Sequence, residues 1–182
     1  KSKFISNIYI TSDSLNILNY CKKLNVKTIL RPKKLSGNII MPDEAIRHAY
    51  LKMKKKFDYI VMLQPTSPLR TYQDIDNSIK TIIQNKSDSL FSSSIQSKFI
   101  WKKSKSNFYP VNYNFKKRPR HQDVSFYTEN GAIYISKSNL FVKNFNRLGG
   151  KISTYAMSDE RSIDIDNAED FRNAEKIIKK NY

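Results

Sequence analysis

At 182 residues the chain is long enough for one globular domain with a real core and too short for two comfortable ones. Its 39% hydrophobic content includes no apolar run near the length that spans a bilayer and no signal-like N-terminal segment, so a soluble, cytoplasmic protein is expected. Lys and Arg number 33 against 16 Asp and Glu, a net charge of +17. The clusters Lys54-Lys55-Lys56, Lys102-Lys103 and Lys116-Lys117-Arg118 are scattered over expected helix ends and loops, so they read as solvated surface rather than a nucleic-acid footprint, and their field favours polyanionic small substrates.

Taken in chain order, the apolar pattern switches between period two and period 3.6, which predicts alternating strands and helices and a mainly parallel sheet covered on both faces. Residues 8–11 read as a short strand. After a turn at Ser12-Asp13-Ser14, Leu15, Leu18 and Leu24 recur near helical spacing, and the only cysteine, Cys21, falls there as a small buried apolar residue. Residues 26–30 return to a strand. Pro42 opens a helix with Asp43 and Glu44 in its first turn, where the dipole favours acids, and with Ile46, Ala49, Tyr50 and Met53 on one face. Residues 59–63, continuously apolar, are the best candidate for a central strand. Residues 74–84 follow as a helix with Ile75, Ile79, Ile82 and Ile83 inward, and 89–92 as a strand.

From residue 94 to about 124 no period persists. Phe99, Trp101, Phe108, Tyr109, Tyr113 and Phe115 need something to bury them, so this stretch reads as an excursion from the sheet, a hairpin that meets another subunit in a homodimer. Order resumes with a strand at 131–135, a helix from about 139, a strand at 152–157, a short strand at 163–166 and a closing helix at 168–179. The whole reads as a single domain, 1–182. Its four glycines provide no Gly-rich strand-to-helix turn of the kind that cradles phosphates, so a nucleotide-using enzyme with this sequence is expected to lack its first βα unit.

Three constellations carry candidate chemistry. In Ser162-Ile163-Asp164-Ile165-Asp166-Asn167 two aspartates stand one residue apart; on a strand both project from one face, where they repel unless a cation separates them, and hard, oxygen-preferring Mg²⁺ fits. The competing reading makes Asp166 only the cap of the following helix. In Gln64-Pro65-Thr66-Ser67-Pro68-Leu69-Arg70 two prolines stiffen a loop at the C-terminal end of the best strand, where open α/β sheets bind ligands, and Gln64, Thr66, Ser67 and Arg70 offer donors and acceptors. The third set runs from Arg118-Pro119-Arg120-His121-Gln122 to Glu129-Asn130-Gly131-Ala132-Ile133-Tyr134-Ile135; Arg120 can grip a phosphate or carboxylate with both arms, and Asn130 can place an amide at the start of a strand. His48 and His121 have no nucleophile beside them in sequence and read as structural or surface residues.

Together with Thr11-Ser12-Asp13, Arg31-Pro32-Lys33-Lys34-Leu35-Ser36 and Asp170-Phe171, and in this order, these segments resemble the acylneuraminate cytidylyltransferases, also called CMP-sialic acid synthetases. The resemblance implies a Rossmann-like three-layer α/β/α nucleotidyltransferase fold, a homodimer, CTP as donor, a nine-carbon 2-keto sugar acid as acceptor and Mg²⁺ as cofactor. Carried over residue by residue, it assigns Asp164 and Asp166 to the metal and to catalysis together with Gln64, Arg31 and Asn130 to the nucleotide, and Gln64, Arg70, Arg120, Gln122 and Tyr134 to the substrate. The family's Pro-Ala-Arg, Gly-Ser-Lys and Lys-Asn segments have no counterpart, so the chain alone is expected to be inactive. Legionaminate, pseudaminate and, less well matched at residues 64–70, 3-deoxy-manno-octulosonate stand as alternative acceptors. A basic nucleic-acid-binding module built on residues 99–118 and a noncatalytic relative stand as alternative functions.

Overall fold

The computed structural model describes residues 1–37, 39–53 and 55–181; Lys54 of the basic cluster at 54–56 lies outside them. Strand β1 (Tyr9–Ser12) is followed by helix α1 (Leu15–Lys23) and strand β2 (Lys27–Leu30), and β1 and β2 pair in parallel as a separate two-stranded sheet. Ser14 starts α1 by accepting the Ile17 amide on its hydroxyl, satisfying a donor that the first helical turn otherwise leaves free. Leu18 and Cys21 face inward, whereas Leu15 and Leu24 stay exposed. Helix α2 (Pro42–Lys52) has proline at its first position, and buries Ala45 and Ala49 rather than the larger side chains of the expected face.

The main sheet holds β3 (Tyr59–Leu63), β4 (Ser89–Gln96), β7 (Phe126–Lys137) and β8 (Ile152–Ala156), in the order β3-β7-β4-β8. Strands β3, β4 and β8 run one way; β7, between β3 and β4, runs against them. The sheet is therefore mixed, with most of its strands parallel. The strand expected at its centre, β3, is an edge of this sheet, and β7 and β4 take the central places. Burial follows: β3 is only half covered, whereas Ala132, Ile133, Ile135 and Leu90 are fully enclosed.

Helices cover both faces. On one, α3 (Tyr72–Gln84) packs Ile79 and Ile82 against Leu90, Ile133, Ile135 and Met157. On the other, α2 and α4 (Ser138–Asn144) bring Ile46 and Phe141 over Ile60, Met62, Tyr134 and Ser136, the alternate residues of β3 and β7. A three-layer α/β/α arrangement follows from this alternation. Thr71 and Asp74 close a reciprocal capping box at the start of α3. Ile83, expected inward, is exposed, because it lies one residue beyond the stripe set by Ile75, Ile79 and Ile82.

Between β4 and β7 the chain leaves the sheet. Strands β5 (Trp101–Ser104) and β6 (Asn107–Pro110) form an antiparallel hairpin, with Lys105 in the left-handed region at its turn. Phe99 stacks on Tyr113 and His121 at ring distances of 4.3 and 4.2 Å beneath the Arg118 guanidinium, a small aromatic cluster of the excursion's own. Trp101, Phe108, Tyr109 and Phe115 remain exposed. The strand expected at 163–166 does not form a ladder. That segment is extended after a 3-10 turn (Asp159–Ser162), and the Ile165 amide donates to the Thr66 carbonyl at 2.8 Å, an isolated tie to the proline loop. Helix α5 (Ala168–Asn181) closes the described chain.

Candidate functional site

A defect in the β4–β7 ladder makes the site. Phe91 pairs with Tyr134, yet Ser93 pairs with Glu129, so two steps along β4 face five along β7. The surplus residues bulge at Asn130 and Gly131, the sort of local break that re-aims side chains. Side chains replace the missing ladder bonds. Asn130 Oδ1 accepts the Ser92 hydroxyl at 2.6 Å and the Ala132 amide at 3.2 Å, while Ser92 Oγ accepts the Ile133 amide at 2.7 Å. Gly131 sits at φ 73°, in the left-handed region. A Cβ there would collide with Gln64 Oε1 and meet Asp164 Oδ2 at 3.4 Å, so the missing side chain is what lets Gln64 and Asp164 close over the strand.

Around this bulge lies a cleft of about 370 Å³ lined by Gln64, Ser94, Thr128, Glu129, Asn130, Gly131, Tyr134, Ser162 and Asp164. Gln64 enters from the proline loop after β3. Arg70 holds that loop in place: its Nη1 donates to the carbonyls of Gln64 and Ala132 at 3.2 and 2.7 Å, tying loop to strand. Burial pulls the guanidinium below its ordinary pKa, and the nearby Asp74 charge pushes back.

The opposite wall is the irregular segment after β8. Arg161 donates through Nε and Nη2 to the buried carboxylate of Asp74, both at 3.2 Å. Asn130 Nδ2 donates to Ser162 Oγ at 2.9 Å, which itself donates to the Ser158 carbonyl. Asp164 is thereby set into the cleft, and its Oδ1 is enclosed with no hydrogen-bond donor among the described residues. An ionised oxygen in that state is costly unless a cation or a ligand donor completes it. The cap of α5 is Asn167, whose Oδ1 accepts the amides of Glu169 and Asp170 while Asp170 accepts those of Asp166 and Asn167. Asp166 is thus not consumed as a helix cap; it is exposed, and its side chain is outside the cleft lining.

Tyr134 projects from β7 and donates its hydroxyl to Glu129 Oε2 at 2.8 Å. Burial, reinforced by Glu129, pushes its phenol up to about 12, so it remains a proton donor across the neutral range. The Arg147 guanidinium lies 4.9 Å from the Tyr134 ring centre and is held by Asp43 through bonds of 2.6 to 3.3 Å.

Of the residues singled out in the sequence, the fold brings Gln64, Asn130, Tyr134 and Asp164 into one cleft. Arg31 lies elsewhere, donating to Ser36 Oγ at 2.9 Å with Asp13 3.8 Å away. Arg120 is exposed and doubly bonded to Asp123, and Gln122 is exposed in the 3-10 turn beside it. Glu129, Thr128, Ser94, Gly131 and Ser162 line the cleft without having been assigned a role from sequence. For Glu129 and Gly131 strand alternation would have given the face, and the β7 bulge overrides that alternation, while Ser162 stands in the 3-10 turn where none applies.

A Mg²⁺ ion fits the donor set in one respect. Asp164 supplies an enclosed, unpartnered carboxylate oxygen and Asp166 an uncommitted one two residues on, and Mg²⁺ takes one or two carboxylates with water and phosphate completing its shell. No group of three or more His, Cys, Asp or Glu side chains able to hold a metal by themselves occurs among the described residues. No helix of the described chain is long and apolar enough to cross a membrane.

The family model described as "Cytidylyltransferase" matches residues 1–182. The chain is 28% identical over 182 residues to N-acylneuraminate cytidylyltransferase A of Danio rerio, covering 97% of this chain and 42% of the relative. It is 27% identical to the N-acylneuraminate cytidylyltransferase of Escherichia coli O18:K1:H7, covering 99% and 44%, so it spans less than half the length of these two relatives. It is also 25% identical to post-translational flagellin modification protein B of Campylobacter coli, covering 98% and 79%. Among solved structures, a CMP:2-keto-3-deoxy-manno-octonic acid synthetase complexed with CTP superposes with a TM-score of 0.69 at 9% identity, covering 100% of this chain and 84% of that one, a likeness of fold.

Proposed function

The chain belongs to the cytidylyltransferase family, whose model spans residues 1–182, and on that footing we propose that it carries the acceptor-binding cleft of an enzyme that transfers CMP from CTP to a sialic-acid-like nine-carbon 2-keto sugar acid and releases pyrophosphate. The observation that supports this reading best is the convergence of Gln64, Asn130, Tyr134 and Asp164, drawn from three separate segments, on one polar cleft. In the proposed reaction the acid's anomeric hydroxyl attacks the α-phosphorus of CTP, the bond to the β-phosphate breaks, and the hydroxyl gives up its proton. Such a transfer asks for alignment and charge compensation more than for a covalent protein intermediate.

In this reading Gln64 offers its amide to the acceptor, backed by the Arg70 brace, and Tyr134 keeps a protonated hydroxyl in the cleft wall. Asn130 spends Oδ1 and one Nδ2 hydrogen on bracing the bulge and has its second Nδ2 hydrogen for the nucleotide. Asp164, with Asp166, would hold Mg²⁺, which when bound neutralises phosphate charge. Arg31 is assigned to the nucleotide. Arg120 and Gln122, outside their own chain's cleft, are assigned to substrate across a homodimer built on the 94–124 excursion, whose exposed Trp101, Phe108 and Tyr109 favour self-association.

The test is pyrophosphate release by the whole protein from CTP with Mg²⁺ and a panel of N-acetylneuraminate, legionaminate, pseudaminate and 3-deoxy-manno-octulosonate. Release with a nine-carbon acid supports the reading; release with none of them defeats it. For the dimer, Trp101→Ala is expected to weaken self-association in sedimentation velocity, and an unaltered dimer removes that assignment.

A further inference from the structure

We propose that Glu129 reads the acceptor: its carboxylate takes hydrogen bonds from the uncharged hydroxyl or amide donors of the substrate and so turns the acidic, reacting end of that molecule toward Asp164. The inference deepens the cytidylyltransferase reading and depends on it for the acceptor's identity, while the geometry of the cleft stands apart from it.

The charge pattern of the cleft comes first. On a chain of net charge +17, the charged residues among the described lining are two carboxylates, Glu129 and Asp164. A bare carboxylate repels both the phosphates of a nucleotide and the carboxylate of a sugar acid. The two acids are nevertheless in different chemical situations. Asp164 presents an enclosed oxygen with no donor, suited to a cation. Glu129 already accepts a neutral hydroxyl, that of Tyr134, on Oε2, and no donor among the described residues reaches Oε1. Its neighbours in the cleft lining are hydroxylated, and the nearby Arg147 cation is paired with Asp43: Ser93 faces Glu129 across the ladder, Ser94 faces Thr128 next to it, and Ser94 and Thr128 both line the cleft. This end of the cleft therefore suits a polyol or an amide and disfavours an anion.

The second observation is that Glu129 is held. Tyr134 fixes one carboxylate oxygen, the Arg147 guanidinium lies against the Tyr134 ring, and Asp43 at the start of α2 fixes Arg147 through its two carboxylate oxygens and by accepting the Arg147 amide at 2.8 Å. The Arg147 and Asp43 side chains are 15% and 13% exposed, so this pair is shielded from the screening that weakens surface ion pairs. A flexible glutamate would lose rotamer freedom on binding; one oriented beforehand does not. A sheet residue that only contributed to solubility would not need Tyr134 of its own strand, backed by Arg147 after α4 and Asp43 of α2, to orient it.

Glu129→Gln tests this directly. The replacement is isosteric, keeps a carbonyl oxygen to accept from Tyr134, and puts an NH₂ donor where Oε1 stood, reversing the hydrogen-bond sense toward the cleft. The probes are N-acetylneuraminate and CTP, each bound separately to the whole protein with Mg²⁺, the acid followed by saturation-transfer NMR and CTP by calorimetry. Losing a hydrogen bond to a charged group predicts a dissociation constant for the acid about 10- to 100-fold higher, with CTP affinity within about two-fold of wild type and saturation lost from the protons of the hydroxylated tail. Unaltered affinity for the acid overturns the proposal, as does a parallel loss of CTP affinity or a wild-type protein that does not bind the acid. Turnover is not the readout. A wild-type protein that binds the acid yet releases no pyrophosphate refutes the transferase reading and leaves the Glu129 result standing.

Discussion

The cleft has two walls built by different means. The β7 wall is held by backbone ladders to β3 and β4, with Ala132, Ile133 and Ile135 fully enclosed behind it. The facing wall, from the 3-10 turn at Asp159–Ser162 to Asn167, has no ladder and is tied down by side chains and one isolated backbone bond. A ladder fixes position through many bonds, whereas a tethered segment can move when one tie is cut. The unpartnered carboxylate stands on the wall that can move.

If that division holds, chemistry and scaffolding should separate between the walls. The largest effect is expected at Asp164. In the whole protein Asp164→Asn should lower turnover about 100- to 1000-fold with little change in melting temperature, the range seen when one preorganised electrostatic contact to a transition state is lost. Asp166→Asn, exposed and outside the cleft lining, should cost markedly less. Equal losses at the two positions, measured as kcat under saturating Mg²⁺, would erase the distinction between them.

On the ladder wall the cost should appear as stability. Asn130 is buried and bonds Ser92, Ala132 and Ser162 together, so Asn130→Ala leaves the Ser92 hydroxyl and the Ala132 amide without their acceptor and should destabilise the fold by about 2 kcal/mol in urea titration. Gly131→Ala comes next. The left-handed φ costs a non-glycine residue about 1 kcal/mol, and the added Cβ displaces the Gln64 amide, so a modest stability loss should accompany a raised KM for the acceptor. A Gly131→Ala protein with wild-type KM would show that Gln64 has no contact with substrate.

Much of this was legible in the sequence, for physical reasons that also explain what was not. Proline at the first turn of α2 and the isoleucine stripe of α3 are local signals, and the structure keeps them. The Ile163-Asp164-Ile165-Asp166 alternation is just as local a signal, but period two requires only that a segment be extended, and no strand lies beside this one to make it a strand. Residues 59–63 read as central because a continuous apolar run shows burial on both faces without showing how many neighbours a strand has. Glu129 was hidden by the bulge: the extra residues of β7 void the alternation from which a side chain's face is inferred, and only pairing to β4 reveals them. Asn167 took the capping role open to Asp166, a choice between adjacent residues that boundary reading does not resolve.

The smallest expected effect tests the tethered wall most directly. Arg161 is 39% exposed and joins its segment to Asp74, which is 2% exposed and also accepts the Thr71 amide and hydroxyl at 2.9 and 2.8 Å. Arg161→Gln therefore leaves Asp74 with partners from its own capping box, and solvent screening of the guanidinium limits the loss to under about 1 kcal/mol in global stability. What it removes is a tie between the Asp164 segment and α3. Amide exchange in residues 158–167 should accelerate while the β7 amides exchange as before, because the ladder does not pass through Arg161. Binding of Mn²⁺, followed by electron paramagnetic resonance as a stand-in for Mg²⁺, should weaken a few-fold as Asp164 loses its fixed position. Exchange that speeds equally in both walls would mean that the segment is held by the sheet after all, and the contrast between a fixed wall and a tethered one would then have to be given up.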